Sequence, residues 1–292
     1  MNIIRIHCSD EAIAASPPDL FGLMADVKRF SIEVPAEVAN VLGAGAPVFV
    51  GVSGGRDSQA LAYRVCAHLD DIGHQGRRIL IHADLGRVDW RDSLPVCERL
   101  AQRLGVELVV VRRNAGDMMD RWLSRWTGNV ARYANLECVK LILPWSTAAQ
   151  RFCTAELKSQ VIAREMRRRF PEGDVVSAVG IRREESAKRA RMPAWKQDER
   201  TTRKRGAGHT WNPILGWRRG DVNDYVRIRG DELHEAYRLY GSTRVSCAFC
   251  VLGSEHDLWA SSNCADNQAI YREMVALEAT STFSFQSHRW LG

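Results

Sequence analysis

The hexapeptide Ser53-Gly54-Gly55-Arg56-Asp57-Ser58 carries the clearest chemistry in this chain of 292 residues. It follows an apolar run at 47–52 that reads as a buried strand, and it precedes a segment at 59–65 that reads as the first turns of a helix. A glycine-containing loop in that place leaves backbone N–H groups unpaired at the positive end of the helix dipole, a geometry that binds phosphate. Gly54 and Gly55 can take positive φ and admit a phosphate closely, while Ser53 and Ser58 add hydroxyl donors. The Gly-Lys-Ser/Thr ending of a Walker A loop is absent. A surface turn rich in small polar residues is the competing reading, because short motifs arise by chance.

Four more segments bear on the same chemistry. Asp84-Leu85-Gly86 closes a second apolar run, where Asp84 could position Mg²⁺ or nucleotide or could be an ordinary turn aspartate. Gly180-Ile181-Arg182-Arg183-Glu184-Glu185-Ser186-Ala187-Lys188-Arg189 ends a fourth run and offers arginines to a phosphate. Asn212-Pro213-Ile214-Leu215-Gly216-Trp217 precedes an N-capped helix start at Asp221. Arg244-Val245-Ser246-Cys247-Ala248-Phe249-Cys250 carries a Cys-x-x-Cys pair. His82, at a strand end, reads as structural and not as a general base.

These groups need a scaffold. Apolar runs at 48–52, 78–83, 106–111 and 174–179 alternate with helical patterns, which argues for a parallel sheet with crossover helices. Leu94, Cys97, Leu100, Ala101 and Leu104 recur at helical spacing, and a long insertion holds helices near 117–127 and 155–169. Further helices are expected at 231–240 and 266–279, and one near 36–42. The chain divides into a leader at 1–45, a nucleotide-binding region at 46–230 and a C-terminal helical, cysteine-bearing region at 231–292.

Taken in order, the motifs resemble the phosphoadenosine phosphosulfate reductase family, within the adenine-nucleotide α-hydrolase-like superfamily. The resemblance covers about 47–252, and the 53–58 loop resembles the ATP-pyrophosphatase loop of enzymes that split ATP between the α and β phosphates. It implies an α/β fold: a twisted parallel sheet with helices on both faces, and a smaller C-terminal helical region carrying the Cys-x-x-Cys. It further implies nucleotide on Ser53, Gly54, Gly55, Ser58, Asp84, Gly180, Arg182, Arg183 and Arg189, with Asp57, Ser58 and Arg182 as the catalytic candidates.

Membership leaves the reaction open. Arg151-Phe152-Cys153-Thr154-Ala155-Glu156-Leu157-Lys158 resembles the segment where adenylylsulfate reductases carry a Cys-Cys pair followed by a basic residue, but Phe152 replaces the first cysteine. In that branch this pair and a second one, matched here by Cys247 and Cys250, bind a [4Fe-4S] cluster. Three ligands are matched and a fourth is expected from Cys264, with Cys138 as the alternative. Zinc, or a bare redox Cys-x-x-Cys, fits the spacing too. Reductases of the family attack with a C-terminal cysteine, and this chain has none after Cys264. Their loops are typically eroded, whereas this one is intact and suits ATP with Mg²⁺.

The expected function is therefore an ATP pyrophosphatase that adenylylates a substrate for sulfur incorporation. DNA phosphorothioation with a cysteine desulfurase or another sulfur carrier is the nearest relative in character. A phosphoadenosine phosphosulfate or adenylylsulfate reductase using Cys264 is the alternative, and a non-catalytic nucleotide- or DNA-binding subunit is a third.

Charge bears on the partner. The formal net charge is +6, and residues 182–205 hold ten Lys/Arg against four acids, equal to the whole excess. That block can meet DNA as a mobile basic segment or be a solvated charged loop. No apolar stretch approaches a membrane span, and the N-terminus lacks a signal-peptide pattern. A cytoplasmic protein is expected, its eight cysteines reduced or ligating metal, with Cys66 and Cys97 as packing residues.

Overall fold

A computed structural model describes residues 5–6, 29–287 and 289–292; Cys8 and most of the leader lie outside them. Among the described residues seven strands form one sheet: β1 (Arg5–Ile6), β2 (Val48–Val52), β3 (Arg78–Asp84), β4 (Glu107–Arg112), β5 (Val175–Ala178), β6 (Trp195–Gln197) and β7 (Gly208–Trp211). Their order is β1-β4-β3-β2-β5-β7-β6, parallel throughout except for the two edges, β1 on β4 and β6 on β7. The register sets Val50 opposite Leu80 on one side and Ala178 on the other.

Alternation in β2 explains why the sheet is covered on both faces. Val48, Val50 and Val52 point into one core with Leu61, Val65 and Leu69 of α2 (Arg56–Asp71). Phe49 points into the opposite core with Ile79, Ile81, Val109 and the helix that carries Val161 and Met166. Each fully buried aliphatic side chain of this kind contributes about 2 kcal/mol. On the first face lie α1 (Ala36–Gly43), α3 (Ser93–Leu104) and α7 (Arg219–Arg229) as well. The end of the leader belongs to that core: Phe30 packs on Trp217 and Tyr225, and Trp211 Nε1 donates to the Glu33 carbonyl at 2.7 Å.

From β2 the chain winds outward through β3 and β4, then returns to lay β5 and β7 on the other side. The order reverses between β2 and β5, which makes their carboxyl ends the crevice where open α/β sheets take ligands. Helix α4 (Met118–Ala134) runs longer than the expected 117–127, because Trp122, Trp126 and Asn129 pack its later turns. A helical turn at Phe152–Thr154 and a π-helical stretch at Ala155–Ser159 lead into α5 (Gln160–Arg169). The short α6 (Ala187–Ala190) and α8 (Glu235–Arg238) line the way to the C-terminal helices α9 (Glu255–Ser262) and α10 (Gln268–Ser281). These close a separate core around Trp145, Phe249, Leu258 and Met274.

Two elements differ from expectation. β7 is short and polar in sequence (Gly-His-Thr-Trp), so its full burial is a tertiary effect. Asp221 is not the N-cap of α7 but its N3 residue, accepting from Arg218 N at 2.8 Å. Among the described residues no helix is long and apolar enough to cross a membrane.

Candidate active site

Strand β2 delivers the chain to the loop, and Gly54 turns it with φ +75°. A Cβ at 54 would stand 2.9 Å from the Ser93 carbonyl oxygen and 3.0 Å from its Cα, so backbone conformation and space both demand glycine. Gly55 caps the 16-residue α2 without a side chain, leaving the helix end open. Ser58 Oγ donates to the Gly55 carbonyl at 2.7 Å and accepts from Ser53 N at 3.2 Å, so its hydroxyl fixes the loop's shape. Ser53 is exposed.

The end of β5 closes on the same helix turn. A Cβ at Gly180 would lie 3.2 Å from the Asp57 carbonyl. Arg182, 6% exposed, reaches Asp57 Oδ1 with Nε at 2.5 Å and pairs with Glu184. Burial opposes the charge on Arg182, but Asp57, Glu185 and Glu184 outweigh it and hold the guanidinium above its ordinary range.

Loop and β5 border a cavity of about 380 Å³, lined by Ser53, Gly55, Asp57, Ser58, Gly180 and Arg189 among the expected residues. Cations ring it: Arg151, Lys158, Arg189, Arg200 and Arg244. Arg189 pairs with Glu185 and Arg200 with Asp198. Arg151 and Arg244 are exposed and in no ion pair among the described residues. A cavity of this size, with Arg151 and Arg244 unpaired beside an open helix N-terminus, can take a polyphosphate.

Two histidines support the walls without acting as bases. His82 is buried, its Nδ1 3.1 Å from the Val52 carbonyl, which makes that nitrogen the donor. His234 is fully buried, and its Nδ1 accepts from Ala236 N at 3.0 Å. Burial holds its pKa down at about 4, so the ring is neutral and its proton sits on Nε2. That Nε2 donates to Ser93 Oγ at 3.2 Å, and Ser93 lines the cavity with its own hydroxyl proton free for an oxygen there. Asp89 lines it too, its carboxyl pushed up by burial and held back by Lys158 and His82.

Other expected residues face elsewhere. Asp84 pairs with Arg112 (Nε at 3.1 Å) and accepts from Gly86 N at 2.7 Å, off the cavity wall. Arg183 pairs with Glu33 at 2.5 Å on the outer side. Half of the basic block is paired: Arg182, Arg183, Arg189, Arg200 and Arg205 are in ion pairs, and Arg203 donates to the Thr201 and Pro171 carbonyls, while Lys188, Arg191, Lys196 and Lys204 stay exposed. Ser93, His234, Asp89 and Tyr237 were not legible as site residues, since no local motif marks them. Lys158 had a signal, the basic residue that follows Cys153.

Residues 47–252 match the family model described as the phosphoadenosine phosphosulfate reductase domain. The chain belongs to that family. A curated relative is an uncharacterized 37.8 kDa protein in the gpa 5′ region of Escherichia phage 186, 27% identical over 163 residues. The match takes in 55% of this chain and 42% of the relative, so the chain spans less than half of that protein's length. Similar solved structures include phosphoadenylyl-sulfate reductase from Candida auris in a phosphate complex, with TM-score 0.46 and 12% identity over 81% of this chain and 98% of that one. The U34-tRNA thiolase NcsA from Methanococcus maripaludis with its [4Fe-4S] cluster gives 0.48 and 12%, over 92% and 83%. FMN adenylyltransferase from Candida glabrata with FMN and an ATP analogue gives 0.47 and 17%, over 84% and 70%.

Within this reductase-domain family member, three of the expected cysteines share one environment. Lys158 lies within electrostatic reach of Cys247, Asp89, Cys250 and Cys153, which favour its charged form. Burial pushes the Cys247 thiol well up, with Lys158 opposing. The Phe152 ring lies under Arg121 (4.9 Å) and Arg125 (5.1 Å) of α4. Cys264 is buried and bonded by the Tyr240 hydroxyl, and Cys138 sits beside Asn129 at the end of α4. Cys66, Cys97, Cys138, Cys153, Cys247, Cys250 and Cys264 are all free thiols. Among the described residues no three Cys, His, Asp or Glu side chains are arranged to hold a metal ion. As arranged, these side chains do not fit a cluster or zinc.

Proposed function

We propose that the cavity binds ATP with its β- and γ-phosphates at the 53–58 loop, and that the protein splits it to AMP and pyrophosphate. The intact loop carries this reading: left-handed Gly54, seated on Ser93, turns the open N-terminus of α2 toward a cation-lined cavity. A substrate oxygen attacks the α-phosphorus, the α–β bond breaks, and pyrophosphate leaves with the electron pair. A sulfur nucleophile then displaces AMP from the adenylylated substrate. Mg²⁺ enters as the counter-ion of ATP.

The chain's own groups bind and orient. Backbone N–H groups of the loop and the Ser53 and Ser93 hydroxyls hold the departing pyrophosphate, and Arg189 and Arg244 balance its charge. The Asp57–Arg182 pair fixes the first turn of α2 against the end of β5. Cys153, Cys247 and Cys250 are grouped near Lys158, which itself lines the cavity. Phosphorothioation of DNA, fed by a cysteine desulfurase or another sulfur carrier, is the specific form of this reaction that we favour.

Side-by-side incubation with labelled ATP and labelled phosphoadenosine phosphosulfate tests the reading. AMP and pyrophosphate from ATP, without sulfite from the phosphosulfate, is the expected result. Sulfite release would make the protein a reductase and overturn it.

A further inference from the structure

The turn Gly241–Arg244 stands beside the cavity and belongs to none of the phosphate-loop elements. It is held rigid by one buried carboxylate. Asp257 accepts from Ser242 Oγ at 3.0 Å, Thr243 N at 2.7 Å, Thr243 Oγ1 at 3.0 Å and Ser254 Oγ at 2.7 Å. Those donors occupy the carboxylate, and none is a cation.

Around this rigid turn cations collect. Arg56 Nη2 donates to the Thr243 carbonyl at 2.6 Å, and Arg219 Nη2 reaches the same oxygen at 3.5 Å. Arg244 follows in sequence and borders the cavity. Among the described residues none of the three guanidiniums is in an ion pair, whereas Arg183, Arg200 and Arg205 of the 182–205 block each have a carboxylate. Like charges gathered on one carbonyl repel unless an anion joins them.

The same turn carries an aromatic platform. His256 Nε2 lies 2.9 Å from the Gly241 carbonyl, and its ring faces Trp259 at 6.5 Å and 32°. Trp259 is 63% exposed, an unusual state for an indole on a short helix whose other apolar residues are buried. Unpaired guanidiniums beside an open indole match a chain that alternates phosphates with flat, unstacked bases. A duplex would hide its base faces from Trp259, and an acidic peptide would leave the indole without a partner.

We infer that a single-stranded nucleic acid lies along the Gly241–Arg244 turn, its phosphates on Arg56, Arg219 and Arg244 and a base on Trp259. It thereby enters the cavity from this side and not across the 182–205 block. The inference rests on the proposed ATP chemistry only in taking the cavity as the reacting end of that track.

Fluorescence anisotropy with a labelled single-stranded DNA oligonucleotide, in low salt and without nucleotide, tests it. Trp259→Ala should weaken binding about tenfold, as loss of one stacked base does. Arg219→Ser should weaken it and reduce the salt slope by about one phosphate, with Arg219→Lys restoring most of the loss. Arg205→Ser, which removes a cation already paired with Glu172, should bind as wild type does. Thermal melts confirm that each variant is folded. Wild-type affinity in both Trp259→Ala and Arg219→Ser, or no binding by the wild-type protein, overturns the inference. Because nucleotide is absent, failure to cleave ATP would leave a positive result standing.

Discussion

Arg182 Nε and Asp57 Oδ1 stand 2.5 Å apart and join the segment after β5 to the first turn of α2. The arginine is buried and keeps Glu184, so removing Asp57 costs it one charge-assisted hydrogen bond and its tie to α2. Asp57→Ala should lower stability by about 2 kcal/mol and cut AMP formation about 10²-fold, read by urea unfolding and single-turnover kinetics. Wild-type values in both would remove the pair from the machinery.

Gly54 meets Ser93 too closely for any side chain, and its φ lies in the left-handed region. Gly54→Ala should cost about 1–2 kcal/mol from conformation alone, and the KM for ATP should rise more than tenfold as the loop shifts. Calorimetry and initial rates check both numbers. A variant with unchanged KM would show that the loop does not seat the phosphates.

Burial keeps His234 neutral with a pKa near 4, below its unfolded value of about 6.5. Its stability contribution is complete above pH 6.5 and is lost as pH falls toward 4, because the unfolded chain takes the proton first. The loss amounts to roughly 3 kcal/mol across that window. His68 and His74, also lowered by burial, titrate in the same direction. The difference between wild type and His234→Gln therefore isolates the one residue: the variant should be less stable at pH 7 and less sensitive to acid. Parallel melting curves from pH 7 to 4 would contradict the assignment.

Phe152 fills the place of a family cysteine with a ring that Arg121 and Arg125 cover. Phe152→Cys should lower stability by about 2 kcal/mol through lost packing and cation–π contact. An unchanged denaturant midpoint would mean that the ring carries no packing role.

Legibility followed locality. The four central strands and the loop between β2 and α2 are written in contiguous residues, and their pattern is visible without a fold. β7 and α9 are not, because four polar-looking residues and one short capped helix acquire burial only from their neighbours. The same holds in the site. Ser53, Gly54 and Gly55 are marked by a motif, but His234 reaches Ser93 across 141 positions, and only the folded chain brings them together. The basic block at 182–205 was visible as charge, yet the acids that pair Arg183 and Arg205, Glu33 and Glu172, lie far away in sequence.

Phosphorus NMR of ATP turnover, with Mg²⁺ and single-stranded DNA present, tests the central claim most directly. Resonances of AMP and pyrophosphate should grow together as ATP declines, and Asp57→Ala should suppress both. ADP with inorganic phosphate, or ATP left intact by an enzyme that binds it, would contradict cleavage between the α and β phosphates at this loop.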